Sequence, residues 1–424
     1  MFKNYLKIAI AVLQRRKFFT FISLFGISLT LTVLLVVSAF FDKMLSPGYP
    51  DFDRNRSLHI SKVALLNTKE GWYNGSSASF QFLEKYVSKL KNAEKVSIFT
   101  FPNSTNAYVD NRKLSLEYKY TDAVFWEIAR FQFLEGRPYA LSDVSSAQKV
   151  AVITQLTKQR YFNAEGAVVG KFIELDNVKY RVIGVVKNAA QPNRNFYSDV
   201  YLPYTVSRID YRYLGRPGQV KLSLVDRYMG DFGAVLLARS EAERPKLREE
   251  LNQVLSRIFK PEEGYDKLYV HADSALEAFT RNIFGGDDSA GVGLFFGLGS
   301  LAILLFLLLP AINLININVT RIMERSSEIG VRKAFGASSR TLVYQFIIEN
   351  VILTLIGGFI GTILSLIVIY LYNQSDMQPG MDLALNYRVL GFGLLLCLLF
   401  GLLSGVYPAW RMSRLNVVQA LKAQ

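Results

Sequence analysis

The fold class this sequence predicts is an α-helical membrane protein with four transmembrane helices (1+3) and a large mixed α/β periplasmic domain between spans one and two. Three observations carry that reading. Four apolar runs lack any charge, Phe18–Phe41, Ser289–Thr320, Asn350–Ser375 and Val389–Trp410, the first two of 24 and 32 residues. Each exceeds the roughly 20 residues that cross about 30 Å of hydrocarbon at about 1.5 Å per residue. Second, residues 42–285 hold 35 Lys and Arg among 28 Asp and Glu, the balance of an ordinary solvated surface. The formal charge of +14 is therefore dispersed, and no nucleic acid is expected as a partner. Third, strand-like and helix-like periodicities both occur inside that stretch, so the domain mixes the two.

The elements follow in order. Within residues 1–17, Phe2, Tyr5, Leu6, Ala9, Val12 and Leu13 fall on one helical face, with Lys3, Lys7 and the Arg15–Lys17 cluster at its polar side. This is the pattern of an interfacial amphipathic helix; an ordinary cytoplasmic extension of the first span is the alternative. Spans are placed at 18–41, 289–320, 346–372 and 388–410. Between and beyond them lie a periplasmic domain at 42–288, a coupling segment at 321–345, a short periplasmic loop at 373–387 and a tail at 411–424.

Orientation follows from Lys and Arg near the spans. Basic residues precede the first span, recur as Arg321, Arg325, Arg332, Lys333 and Arg340 between the second and third, and follow the fourth as Arg411, Arg414 and Lys422. The 373–387 loop has Asp376 and Asp382 and no basic residue. Both termini are thus expected in the cytoplasm of a bacterial cell, in its inner membrane, with the large domain outside. The first apolar run is longer than a signal-peptide core and no small-x-small site follows it, so cleavage is not expected. Cys397 is the single cysteine and falls in the fourth span, so no disulfide framework supports the outer domain.

Inside the domain, Lys149–Ile153 reads as a buried strand, with Thr154 capping a short helix that runs to about Phe162. Lys171–Asp176 and Val178–Val186 flank an Asp-Asn pair, the signature of a hairpin. Arg239–Phe259 opens on a capping-type Ser240 and repeats Leu247, Leu251, Val254, Leu255 and Ile258 at helical spacing, with Pro245 tolerable in the first turn.

Catalytic, cofactor and metal sites are not expected. Gly166–Lys171 (GAVVGK) imitates a phosphate loop, but only three residues separate its glycines and Phe172 stands where a hydroxyl would meet magnesium, so a plain turn is the better reading. His59 and His271 are the two histidines, in no zinc-binding spacing. The carboxylates show no acid/base pair set apart from a solvated face. The tyrosine-rich Tyr197–Tyr213 stretch reads equally as a partner surface or as core aromatics.

Small residues recur at four-residue spacing in the spans, at Gly293 and Gly297, Gly357 and Gly361, and Gly401 and Gly405, which suits close helix packing. Glu349 falls near the inner end of the third span, where snorkelling or a structural pairing outweighs a functional carboxylate. The densest information lies in Arg321–Phe346. Glu328 stands four residues before Arg332, Ile329, Val331, Ala334 and Phe335 form an apolar set, and Gly336-Ala337 breaks the run before the next helix. A short rigid helix braced between two spans is what carries a push from a cytoplasmic motor into a bundle.

The run EIGVRKAFGASSR, Glu328–Arg340, resembles the signature of the MacB/FtsX-like family of ABC transporter permeases. Tyr407–Lys422 is similar to that family's closing segment, Lys7–Leu29 to its opening one, and the stretch around Val150–Lys187 to its periplasmic core. The resemblance implies a four-span permease of the mechanotransmission type that pairs with a second permease copy, as homodimer or heterodimer. Each pair would engage a cytoplasmic ABC ATPase dimer. Carried over by position, Glu328, Gly330, Arg332, Lys333, Ala334, Gly336 and Ala337 would contact the ATPase, and Arg325 and Ile329 join them on the physical reading. Phe335 stands where the family usually has Leu or Ile.

Export, extrusion or extraction of a drug, peptide or lipoprotein-type cargo is the function the resemblance implies. ATP and Mg would be bound by the partner ATPase and no cofactor by this chain. A periplasmic adaptor or membrane-fusion protein and membrane lipids complete the expected partners. The alternative is an FtsX-like transmitter that regulates a cell-envelope enzyme without moving a substrate. A membrane-anchored enzyme is the least supported class, since no catalytic set is visible.

Overall fold

The computed structural model describes residues 14, 15, 17–109, 112–164, 166–190, 194–207, 223–284, 291–324, 339–375, 377, 378 and 380–413. The chain divides into two compact units, one from Lys43–Val292 and Asp376–Asp382, the other from the remaining segments. The expected interfacial helix at 1–17 lies almost wholly outside the described residues.

Long helices stand where the apolar runs fall: Lys17–Leu45, Val292–Glu324, Ser339–Gln374 and Tyr387–Ser413. Lys17–Leu45 and Ile347–Gln374 are long and apolar enough to cross a membrane, and Val292–Phe306 and Tyr387–Leu399 are shorter apolar stretches. Lys17–Leu45 buries Ile27, Leu31, Leu35 and Ala39 on one stripe at four-residue spacing. Against it lies Ser339–Gln374 through Gly357 and Gly361. A Cβ on Gly361 would stand 2.8 Å from the Ser28 carbonyl oxygen, so only glycine lets these backbones approach, and the Thr32 hydroxyl donates to the Gly361 carbonyl at 3.1 Å. The other glycine pairs differ. Among the described residues nothing packs within 4 Å of a Cβ built on Gly293 or Gly297. Glu349 is only 1% exposed, so its carboxylate is buried among helices and does not snorkel to an interface.

The larger unit is a mixed α/β domain. Its strands are β1 (Ser57–Asn67), β2 (Trp72–Ala78), β3 (Ala93–Thr100), β4 (Asn103–Val109), β5 (Arg112–Thr121), β6 (Phe133–Gly136) and β7 (Val150–Thr154). They continue as β8 (Phe172–Leu175), β9 (Val178–Val186), β10 (Val200–Pro203), β11 (Met229–Gly230), β12 (Phe232–Ala238) and β13 (Lys267–Asp273). Among the described residues they order as β11-β2-β1-β12-β3-β5-β10-β7-β9-β6, with β13 on β1, β4 on β5 and β8 on β9. β5 with β10 and β7 with β9 are parallel and the other pairs antiparallel.

Three sequence expectations hold. β7 is followed by helix Gln155–Phe162, whose first turn is closed by the Thr154 hydroxyl accepting from Thr157 N. β8 and β9 form the hairpin, with Asp176 and Asn177 at φ 49° and 62° in its two-residue turn. Helix Arg244–Ile258 buries Leu247, Leu251 and Leu255 and keeps Pro245 in its first turn. Its start differs from expectation: a 3-10 turn at Glu241–Glu243 intervenes and Ser240 makes no side-chain cap, because Pro245 suits the first α-turn best. The phosphate-loop imitation is a turn that leads into strand β8, with no helix N-terminus to receive a phosphate.

The sheet has a seam. Two aliphatic cores fill its halves, one under β1, β2, β12 and helix Arg244–Ile258, the other under β5, β8, β9 and β10. Between them an aromatic cluster packs Phe99, Phe125, Trp126, Phe131, Tyr139 and Tyr201. β3 and β5 meet there through one registered pair, Phe99 with Thr121. Side chains replace the missing ladder. The half-buried Asp122 carboxylate accepts from Ile98 N at 2.7 Å, Ser97 Oγ at 2.8 Å and Phe125 N at 2.8 Å, and Thr100 Oγ1 accepts from Tyr120 N at 3.0 Å. Burial pushes the Asp122 pKa up to about 6 against those hydrogen bonds, which pull it down. Asp122→Ala leaves buried N–H donors unmet and is expected to cost about 2–4 kcal/mol, with Asp122→Asn costing less. Urea unfolding followed by tryptophan fluorescence checks this, and equal stability of all three proteins would refute the seam's reliance on the carboxylate.

Candidate functional site

The residues expected to contact an ATPase, Arg325, Glu328, Ile329, Gly330, Arg332, Lys333, Ala334, Gly336 and Ala337, lie outside the described residues. Described helices end at Glu324 and resume at Ser339 on either side of them. Of the tyrosine-rich stretch, Tyr201 is fully buried and Tyr204 half-buried, which favours the core reading there. Tyr211 and Tyr213 lie outside the described residues.

What the structure builds is a reinforced end of the soluble unit, where its chain enters and leaves. At the entry, Arg54 is 6% exposed and folds back on the segment that follows the first long helix. Its Nη1 donates to the carbonyls of Met44 at 2.7 Å and Ser46 at 2.9 Å, and its Nε to Asp51 Oδ2 at 2.8 Å. The carbonyl groups that a helix C-terminus leaves without intrahelical partners thus meet a buried guanidinium. At the exit, Arg281 on helix Ala275–Phe284 grips Asp273 through two bonds of 2.7 and 3.0 Å. Arg248 reaches across from helix Arg244–Ile258 to Glu277 and to the Ala272 carbonyl. Ser274 and Glu277 close the helix N-terminus reciprocally: Ser274 N donates to Glu277 Oε2 at 2.7 Å and Glu277 N to Ser274 Oγ at 3.3 Å.

Entry and exit are neighbours because β1 and β13 pair antiparallel, His59 opposite Asp273. From His59 a chain of buried polar groups runs in both directions. Asn195 Nδ2 lies 2.9 Å from His59 Nδ1, and Ser57 Oγ 3.1 Å from Nε2, so a donating amide puts the ring proton on Nε2, facing Ser57. Ser57 Oγ in turn donates to the Arg54 carbonyl at 3.0 Å. On the other side, Lys119 of β5, 0% exposed, donates to the carbonyls of Arg194 at 3.0 Å and Asn195 at 2.6 Å. Its ammonium also lies 4.6 Å from the Phe99 ring centroid. Burial drives its pKa well below the lysine range, helped by the Arg194 charge and opposed by Glu117. Burial likewise lowers the His59 pKa, with Asp51 and Asp273 acting against it.

A serine beside a histidine invites a hydrolase reading, which this geometry rejects for the pair. Ser57 and His59 are 0% and 2% exposed, and the serine hydroxyl donates to a carbonyl rather than to the ring. The groups therefore form a strut, from Lys119 through Asn195, His59 and Ser57 to Arg54. Sequence reasoning passed over it because Lys119 and Asn195 are far in the chain from Arg54, Ser57 and His59.

A third strand of chain also belongs to this unit. Gly380 has φ +82°, and a Cβ there would stand 2.7 Å from the Ala189 carbonyl carbon, so the 373–387 loop meets the 187–189 backbone where only glycine fits. Met381 is buried beside it, and Lys187 and Asp382 form an exposed ion pair at 3.6 Å that contributes little.

Residues 20–254 match the family described as MacB-like periplasmic core domain, and residues 300–417 the family described as FtsX-like permease C-terminal. The first match alone covers more than half of the chain, and the chain belongs to the MacB/FtsX-like permease family. The pyoverdine export ATP-binding/permease protein PvdT of Pseudomonas fluorescens is 28% identical over 308 residues, 72% of this chain and 42% of that protein. The macrolide export ATP-binding/permease protein MacB of Hahella chejuensis is 23% identical over 424 residues, 99% of this chain and 60% of that protein. The chain thus spans less than two thirds of these relatives' length. Among solved structures, the periplasmic region of MacB from Actinobacillus actinomycetemcomitans covers 55% of this chain and 94% of its own at 15% identity, with a TM-score of 0.38. The extracellular domain of the noncanonic ABC-type transporter YknZ from Gram-positive bacteria covers 49% and 98% at 13% identity, with a TM-score of 0.35. Neither likeness is close enough to carry an argument.

Burial works to raise the Glu277 pKa, but hydrogen bonds from Arg248 and Ser274 hold it at about 2, below the ordinary 4.5. A folded-state pKa below the unfolded value stabilises the fold above pH 4.5 and loses that contribution as pH falls towards about 2. Glu277→Gln should therefore lower the melting temperature at neutral pH, with the difference shrinking across that window. A penalty independent of pH in thermal melts would count against the ionic grip.

Proposed function

We propose that this chain is the permease subunit of a bacterial ABC export system, coupling ATP hydrolysis on a partner ATPase to motion of its outer domain. The observation that carries the reading is the braced end of the larger unit, where entry and exit strands pair, a buried Arg54 clamps the entry and a half-buried Arg281 the exit. Strands held together at that end keep one register within the unit, which suits a part that transmits displacement. Removing one partner of the buried Arg54–Asp51 pair is expected to cost about 3–5 kcal/mol. The names of relatives aligned over most of the chain, macrolide and pyoverdine exporters, favour export over regulation of an envelope enzyme.

In this reading the four long helices span the inner membrane. The outward Phe18, Phe21, Phe25 and Leu29 of the first, all exposed in the monomer, suit lipid or a second permease copy. ATP and Mg sit on the ATPase, and Arg325, Glu328, Ile329, Gly330, Arg332, Lys333, Ala334, Gly336 and Ala337 contact it from the cytoplasmic side. The outer domain faces the periplasm, within reach of an adaptor protein.

Charge reversal at Arg332 and Lys333 together is expected to abolish copurification of the ATPase or uncouple its turnover from transport. Unchanged association and coupling would overturn the assignment of that segment. A cysteine at Ser145, an exposed position, in a Cys397→Ser background should react with an impermeant maleimide in intact spheroplasts. Protection there until lysis would place the domain in the cytoplasm.

A further inference from the structure

Strand β2 has one partnered side and one open one. It pairs with β1 from Asn67 opposite Trp72 to Val63 opposite Ser76, without a register shift. On its other side β11 covers Ser77 and Ala78, and among the described residues no strand continues from there along Trp72–Ser76. Tyr73, Asn74, Gly75 and Ser76 are all exposed. A stretch of about 17 Å thus turns the N–H and C=O groups of alternate residues to solvent. Sheet edges are ordinarily guarded by charge, proline or a bulge, and from Gly71 to Leu83 the sequence has neither charge nor proline. A cation reaches this edge from behind. Lys62 of β1 shares a face with Ala64, which stands opposite Gly75, and its side chain runs along β2. A Cβ on Gly75 would stand 2.8 Å from Lys62 Cε and 3.5 Å from its Nζ, so glycine is what leaves the ammonium room. That ammonium lies 5.0 Å from the Tyr73 ring centroid and meets no carboxylate among the described residues.

We infer that the open edge of β2 takes up an extended acidic segment of a partner protein as an added strand, with a carboxylate of that segment pairing with the Lys62 ammonium over Gly75. In strand addition the main-chain hydrogen bonds supply affinity and side chains at alternate positions supply selectivity. Neighbouring strands lie about 4.8 Å apart, so a carboxylate beside Gly75 on the lysine's face is within reach of the ammonium. A basic segment would meet repulsion there. A second copy of this chain fits less well. Antiparallel pairing of β2 with its own copy, about a two-fold axis perpendicular to the sheet, leaves both Lys62 side chains on one face beside the join, where like charges oppose each other. The edge would serve a partner whether or not the chain exports anything, so failure here leaves the export reading intact.

The test uses the full chain in zwitterionic nanodiscs and fluorescein-labelled peptides of about seven residues, threonine alternating with valine around a central glutamate, glutamine or lysine. Fluorescence anisotropy should show saturable binding of the glutamate peptide, about threefold tighter than the glutamine peptide, with the lysine peptide weakest. Lys62→Met should bring the glutamate and glutamine peptides to equal affinity, and Lys62→Glu should reverse the order so that the lysine peptide binds best. The glutamine peptide should bind all three proteins alike, which shows the edge intact in the variants. Hydrogen exchange locates the contact: the outward amides of Trp72–Ser76 should exchange freely in the chain alone and slow about tenfold with glutamate peptide at about ten times its Kd. No saturable binding, a preference for glutamate that survives Lys62→Glu, or protection confined to other segments would each overturn the proposal. So would protection of those amides before any peptide is added, which would mean that the chain itself or a second copy already occupies the edge.

Discussion

The antiparallel pairing of β1 with β13 is the constraint on which the rest depends. β1 begins shortly after the first long helix ends, and β13 ends one residue before the helix that leads to Phe284. Antiparallel strands place the start of one beside the end of the other, so the two passages of chain into and out of the soluble unit emerge together. A domain inserted by two distant ends would yield between them. Here the ends share a ladder, and the clamps at Arg54 and Arg281 stand at its extremity.

Buried charges at that end and along the seam include Asp51, Arg54, Asp273 and Lys119, and their energetics bear on what they do. Lys119 gives up hydration in the core, which two carbonyls and an aromatic face only partly replace, so it is poorly explained as a source of stability. Its effect is positional. It fixes the Arg194-Asn195 backbone, which sets the Asn195 amide against His59, and through Ser57 the order reaches Arg54. Asp122 plays a comparable part where β3 and β5 share one ladder pair. Without disulfides among the described residues, polar networks of this kind define one arrangement of two half-sheets that aliphatic packing would allow to slide.

Local elements were legible in the sequence and long-range ones were not. The strand at 150–154, its capped helix, the Asp-Asn hairpin and the Leu247, Leu251, Leu255 stripe all rest on residues within a few positions of one another. Ser240 failed as a cap because Pro245, five residues on, was the stronger local determinant of where the α-helix begins. Of the glycine pairs whose surroundings are described, Gly357 meets the Ile27 side chain and Gly361 the Ser28 backbone, while Gly293 and Gly297 meet nothing, since four-residue spacing makes close approach feasible without saying which helix arrives. Lys119 sits in an alternating strand with Glu117, and nothing local distinguishes the lysine that turns inward from one that faces water.

Charge-free run lengths by themselves set the expectation of long apolar helices, and the resemblance of Glu328–Arg340 and three further segments pointed to the MacB/FtsX-like family, because both depend on composition and short-range order. The tertiary structure alone decided how the larger unit is held together. Register between β1 and β13 and the partner of each buried charge depend on contacts between residues tens to hundreds of positions apart. Those contacts form only when the whole sheet closes.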